Sequence, residues 1–124
     1  MKDLIWVFVG GGLGSICRYT ITLILKQINS LYPWPTLLAN AIGSLLIGVM
    51  ADQWIRNTSS PSPNTLFWII GFCGGLTTFS AFALENLTLF RTSGGVSLLI
   101  YASLTYFVCL GMVLLGTSIS KLIF

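Results

Sequence analysis

The segment from Thr65 to Glu85 reads TLFWIIGFCGGLTTFSAFALE, and it is the most informative stretch of this 124-residue sequence. Its first part is as apolar as a membrane-spanning helix, but its second part introduces two adjacent glycines and three hydroxyl residues. Glycine costs about 1 kcal/mol relative to alanine inside a helix, and hydroxyl side chains compete for backbone hydrogen bonds. The segment therefore predicts a helix that is broken in mid-membrane.

Charged residues are scarce along the whole chain. Six lysines and arginines and three acids make up 7% of the residues, whereas a soluble domain carries about a quarter. Three uncharged runs, at 27–51, 57–84 and 92–120, are each long enough for a bilayer-crossing helix of about 20 residues. The sequence predicts an all-α integral membrane protein.

The pattern further predicts one domain, residues 1–124, built from four transmembrane helices. Prolines, glycines and hydroxyl residues mark the connections, which are too short to hold a soluble domain. The predicted helices cover residues 4–26, 36–54, 65–90 and 96–123. Glycine pairs four residues apart, at positions 10 and 14 and again at 71 and 75, favour close contacts between helices.

The composition argues against an enzyme. The chain has no histidine, and its only acids are Asp3, Asp52 and Glu85, so one copy cannot assemble a Ser-His-Asp triad or a histidine-ligated metal site. Six basic residues spread singly along the chain give no nucleic-acid footprint, so no nucleic-acid partner is expected.

Basic residues are nearly balanced between the two sides that four helices define. Lys2, Arg56 and Lys121 fall on one side, and Lys26 and Arg91 fall on the other. The positive-inside rule therefore gives almost no preferred orientation. Either a partner or an insertase sets the orientation, or copies insert both ways and pair as an antiparallel dual-topology dimer. The second interpretation is favoured, because such a dimer supplies the inverted repeat of many transporters.

Several side chains in the predicted helices point to a path for a small anion. Phe79 and Phe82 share a helix face, where they either pack or present their positive ring edges to an anion. Asn40 offers two N–H donors, although such an amide can simply join helices. Arg18 costs about 3 kcal/mol at the bilayer centre, so it should either snorkel to the interface or face a vestibule, where it would attract anions. Glu85 could pair with a cation or cap a polar network.

The broken helix offers two further kinds of ligand. Thr77, Thr78 and Ser80 supply hydroxyl groups. A break also frees backbone carbonyls, which are suited to a hard cation because such cations prefer oxygen ligands. The alternative is a hydroxyl-rich helix in which these residues serve only packing.

Three motifs resemble the CrcB/Fluc family of fluoride channels over essentially the whole chain. They are GGGLGSICRY at 10–19, TLLANAIG at 36–43, and GFCGGLTTFSAF at 71–82 with Glu85 beyond it. The resemblance implies a fluoride-selective channel that passively exports fluoride from the cytoplasm and so reduces its toxicity. It also implies an antiparallel homodimer with two pores in the lipid of the bacterial inner membrane, or alternatively a heterodimer with a paralogue.

The resemblance assigns roles to individual residues. Phe79 and Phe82 would be the pore phenylalanines, Asn40 the pore amide, and Arg18 the arginine near the vestibule. In addition, a central sodium ion at the dimer interface would be structural and not transported. Its ligands would be the backbone carbonyls of Gly74 and Thr77.

Two positions depart from the family pattern. Ala81 stands where the family usually has a hydroxyl residue, which weakens any continuous hydroxyl track through Thr78 and Ser80. In the fourth helix the family places polar residues four apart, but here Ser103 is followed by Phe107, and Tyr101 by Thr105. The register of that helix stays open, with Ser103 and Glu85 as candidates for polar support.

A small multidrug-resistance transporter is the closest alternative. Those four-helix proteins use an acid in the first helix to exchange protons for cationic drugs, whereas this first helix contains Arg18 and no acid after Asp3. An assembly subunit that transports nothing is a third interpretation. Ion flux separates the three.

Overall fold

The computed structural model describes residues 2–28, 30–56 and 62–123, and these residues are helical apart from short connections. Within them, four stretches are long and apolar enough to cross a membrane: Lys2–Leu25, Trp34–Ala51, Pro63–Ser93 and Gly95–Ile123. This confirms the prediction of an all-α protein with four long apolar helical stretches. The architecture is that of a multi-pass membrane protein.

The helices are numbered here in chain order, and residues 63–76 are treated as one composite helix, α3. The bounds are Lys2–Leu25 for α1, Trp34–Arg56 for α2, 63–76 for α3, Phe79–Ser93 for α4 and Gly95–Ile123 for α5. The bounds of α1 and α5 lie within two residues of the predicted ones, 4–26 and 96–123. The third predicted helix, at 65–90, comprises α3 and most of α4.

The composite helix α3 is π-helical over most of its length. It begins with an α-helical turn, Pro63–Thr65, capped by the Ser62 hydroxyl, which accepts the Thr65 N–H at 3.3 Å. The π-helix covers Leu66–Cys73, and one further α-helical turn follows. π-Helical segments are rare in proteins, and those that occur are often found at functional sites. Here the segment lies directly before the polar residues singled out in the sequence.

Thr77 and Thr78 are extended and separate α3 from α4. Thr77 has φ −81° and ψ 154°, and Thr78 has φ −151° and ψ 119°. Thr78 also caps α4, because its Oγ1 accepts the Ala81 N–H at 3.2 Å. The chain therefore enters α4 in a defined direction, with Phe79 as the first helical residue.

Glycines allow α1 to lie directly against α3. A Cβ atom added at Gly14 would collide with the carbonyl oxygen of Phe72, and one added at Gly75 would collide with that of Gly11. The helices α2 and α5 meet in the same way at Gly48 and Gly116. Close backbone approach of this kind is a common form of helix association in membranes.

Gly14→Ala should lower the free energy of unfolding by about 1–3 kcal/mol, because overpacking a tight contact displaces the helices. The measurement is the thermal unfolding midpoint of the purified protein in detergent. Gly12→Ala is the matched control, since no described atom lies within 4 Å of a Cβ atom added there. Equal destabilisation by both substitutions would contradict the close contact of α1 with α3.

Candidate functional site

The side-chain amide of Asn40 binds the backbone of Thr78. Asn40 Oδ1 accepts the Thr78 N–H at 2.8 Å, and Asn40 Nδ2 donates to the Thr78 carbonyl at 3.3 Å. These bonds satisfy both backbone groups of a residue that is outside any helix. Because unpaired backbone groups are costly in apolar surroundings, this amide pair stabilises the extended segment between α3 and α4.

The same arrangement frees carbonyl oxygens at the end of α3. In a continuous α-helix the amides of Thr78 and Ala81 would donate to the carbonyls of Gly74 and Thr77. Here they donate to Asn40 Oδ1 and to Thr78 Oγ1 instead. Gly74 is exposed in the single chain. Carbonyl oxygens at a helix end can coordinate a hard monovalent cation, so these residues are chemically suited to sodium.

The hydroxyl groups of Thr77, Thr78 and Ser80 have different hydrogen-bond partners. Thr77 Oγ1 donates back to the Cys73 carbonyl at 2.7 Å, so its hydroxyl is committed to α3. Ser80 is exposed, and its Oγ lies 3.3 Å from Thr78 Oγ1. Thr78 and Ser80 are thus brought together, whereas the Thr77 hydroxyl is engaged elsewhere.

A cavity of about 480 Å³ lies beside the Asn40–Thr78 contact. It is called here the phenylalanine cavity, and its lining includes Asn40, Thr78, Phe79, Phe82, Thr105 and Cys109. The Phe79 and Phe82 ring centroids are 5.8 Å apart at an interplanar angle of 45°. Phe79 is 80% exposed, so the cavity is open on its side in the single chain.

The helix α5 turns Tyr101 and Thr105 towards the site. Tyr101 is fully buried and Thr105 is 5% exposed, whereas Ser103 is on the exposed side of the helix. The Thr105 Oγ1 atom is buried and has no hydrogen-bond partner among the described residues. In the single chain, Tyr101 and Thr105 thus share the buried face of α5, and Ser103 does not lie on it.

A second cavity, of about 370 Å³, also has Thr78 in its lining. It is called here the arginine cavity, and its lining includes Arg18, Thr22, Pro33, Thr36, Thr78 and Glu85. A cation and a carboxylate from distant parts of the sequence thus share one cavity wall. Thr78 lines both cavities.

Glu85 is held by two hydroxyl groups from other helices. Thr36 Oγ1 donates to Oε1 at 2.5 Å, and Tyr101 OH donates to Oε2 at 2.9 Å. The Tyr101 ring also lies against Phe82, with centroids 5.7 Å apart. This network joins α2, α4 and α5, and its members Thr36 and Glu85 line the arginine cavity. The Glu85 carboxylate therefore accepts hydrogen bonds from two different helices.

The sequence did not single out Thr36 as a site residue, and it left open whether Tyr101 and Thr105 face the site. A signal was present, because Thr36 lies four residues before Asn40, and Tyr101 lies four before Thr105. Residues four apart share a helix face. The first pair occupies the inner face of α2, and the second occupies the inner face of α5.

The chain matches known proteins in sequence. Residues 5–117 match the model of a family described as CrcB-like protein, Camphor Resistance (CrcB). The chain belongs to the CrcB family. This confirms the resemblance seen in the three sequence motifs.

Members of the CrcB family resemble this chain over nearly its full length. A Flavobacterium psychrophilum protein is 37% identical over 123 residues, 98% of each chain. One from Azobacteroides pseudotrichonymphae is 33% identical over 117 residues, 94% of each chain. Both are named fluoride-specific ion channel FluC. A Bacillus licheniformis protein, fluoride-specific ion channel FluC 2, is 36% identical over 98% of this chain and 89% of its own. These are names of ion channels and not of enzymes.

Asn40→Leu should expose the Thr78 amide, because leucine fills similar space but offers no acceptor. Losing a buried partner costs about 1–3 kcal/mol, so exchange of that amide should accelerate roughly tenfold or more. Hydrogen–deuterium exchange of peptides covering residues 77–81 measures it. Asn86→Leu is the matched control, because Asn86 donates only to the Phe82 carbonyl and its Oδ1 has no partner in the described part of the chain. Unchanged protection in Asn40→Leu would contradict the assigned bond.

Proposed function

We propose that this chain is a subunit of a fluoride-selective channel that passively exports fluoride across the bacterial inner membrane and so reduces its toxicity. The observation that carries the proposal is the phenylalanine cavity, where Asn40, Thr105 and two phenylalanine rings converge. The names of the relatives support the same ion. Passive export requires a path that replaces the water around fluoride without binding it tightly.

The cavity offers donors that suit a small, strongly hydrated anion. An amide NH₂ has two N–H donors, and Asn40 uses one of them on the Thr78 carbonyl, which leaves the other for an ion. Thr105 also lines this cavity, and its buried hydroxyl has no hydrogen-bond partner among the described residues. The ring edges of Phe79 and Phe82 add partial positive charge. Since none of these groups carries a full charge, fluoride can enter the site and leave it.

The arginine cavity would act as the vestibule. Arg18 provides the positive charge that raises the local concentration of anions. Glu85 lies in the same wall, but its two carboxylate oxygens accept hydrogen bonds from Thr36 and Tyr101. Fluoride would pass Thr78, the residue that the vestibule shares with the phenylalanine cavity.

The active assembly would be an antiparallel dual-topology homodimer with two pores. The near balance of basic residues on the two sides supports insertion in both orientations. The open side of the phenylalanine cavity supports closure by a second copy, because a path for fluoride must be shielded from lipid. A paralogue is the alternative partner.

A structural sodium ion, not transported, would lie at the centre of this dimer. The break between α3 and α4 would then lie at mid-membrane, with the Gly74 and Thr77 carbonyls of each copy as ligands. Bound sodium would supply a positive charge that compensates the carbonyl dipoles and joins the two copies. The redirected amides of Thr78 and Ala81 support this role.

Proteoliposomes that contain the purified protein should release fluoride electrogenically without a proton gradient, as followed with a fluoride electrode. Phe82→Ile should abolish this flux and leave the dimer intact on size-exclusion chromatography. Phe90→Ile is the matched control in α4, because Phe90 is 56% exposed and its substitution should leave the flux unchanged. Proton-coupled uptake of cationic drugs would instead indicate the multidrug transporter, and absence of any flux would indicate an assembly subunit.

Replacing sodium by N-methylglucamine at equal ionic strength should inactivate the channel and lower the thermal unfolding midpoint of the dimer. A ligand at about a hundred times its dissociation constant stabilises the protein by about 2.7 kcal/mol, so its removal is measurable by unfolding alone. Full flux and an unchanged midpoint after exhaustive removal of sodium would count against the cation site.

A further inference from the structure

The connection between α1 and α2 places an aromatic side chain on the buried Tyr101. The Tyr32 ring stacks on the Tyr101 ring, with centroids 6.3 Å apart and an interplanar angle of 18°. The Trp34 ring meets Tyr32 edge-on at 6.1 Å and 69°. Tyr101 itself is fully buried, so its ring orientation depends on these neighbours and on Phe82.

Local hydrogen bonds fix this connection. Ser30 Oγ accepts the indole N–H of Trp34 at 2.8 Å and the backbone N–H of Tyr32 at 3.3 Å. The backbone N–H of Trp34 donates to the Tyr32 carbonyl at 3.0 Å. The Tyr32 ring is therefore presented to Tyr101 by a compact turn and not by a freely moving loop.

The Tyr101 hydroxyl has two acceptors within reach but only one proton to donate. Glu85 Oε2 lies at 2.9 Å, and the Pro33 carbonyl, in the same connection as Tyr32, lies at 3.4 Å. A small tilt of the Tyr101 ring would exchange the first acceptor for the second. Whatever sets the ring orientation therefore decides whether Glu85 keeps its second hydrogen bond.

We propose that Tyr32 is a positioning residue of the channel, which by stacking on Tyr101 holds the tyrosine hydroxyl on Glu85. Without that contact, Glu85 loses the donor at Oε2, and its carboxylate turns towards Arg18 across the arginine cavity. Pairing of the two charges would neutralise the cation that attracts fluoride. The inference rests on the proposed function, because its effect is read as fluoride flux.

Tyr32→Leu tests this role, since leucine keeps the apolar volume but not the stacked ring. Fluoride efflux from proteoliposomes should fall about three- to tenfold, the size of effect expected from the loss of one aromatic pair. Tyr32→Phe should retain wild-type flux, because stacking on Tyr101 needs only the aromatic ring. Leu31→Ala is the control in the same connection, where the side chain is 54% exposed, and it should leave the flux unchanged.

The double variant separates positioning from a merely structural effect. In a Tyr101→Phe background, where no hydroxyl remains to be positioned, Tyr32→Leu should cause no further loss of flux. An additive loss, wild-type flux in Tyr32→Leu, or loss of the dimer in that variant would each overturn the proposal. Absence of flux in the wild-type protein would instead reject the proposed function, so the two failures are distinguishable.

Discussion

The contact between the Asn40 amide and the Thr78 backbone is the constraint on which the rest of the site depends. An extended residue between two apolar helices has a donor and an acceptor that no helix satisfies, and a low-dielectric environment makes that costly. One asparagine supplies both missing partners. With the backbone of the extended Thr78 satisfied in this way, α4 begins at Phe79, and both Phe79 and Phe82 line one cavity.

The polar side chains around the two cavities differ in how many hydrogen bonds they make. The Glu85 carboxylate is engaged by Thr36 and Tyr101, which avoids a buried charge without partners. The Thr105 hydroxyl, one turn along α5 from Tyr101, has no partner among the described residues and borders the phenylalanine cavity. The Glu85 carboxylate in the wall of the arginine cavity is thus engaged, whereas Asn40 keeps one N–H donor beside the phenylalanine cavity.

Local sequence patterns predicted the four apolar helical stretches, because helix length and the scarcity of charges are local properties. The same holds for the shared face of Phe79 and Phe82, whose spacing is three residues. The partners of the polar residues could not be predicted. Asn40 meets Thr78 across 38 positions, and Glu85 meets Thr36 across 49. The π-helix was also missed, since the apolar run at 66–73 has no polar residue to report its periodicity.

The central claim is that neutral donors and ring edges around Asn40 select fluoride over larger anions. Electrical recording in planar bilayers, with fluoride on one side and chloride on the other, measures this selectivity most directly as a reversal potential. The account predicts a reversal potential close to the fluoride equilibrium potential, with negligible chloride current. Comparable permeation of chloride would contradict it.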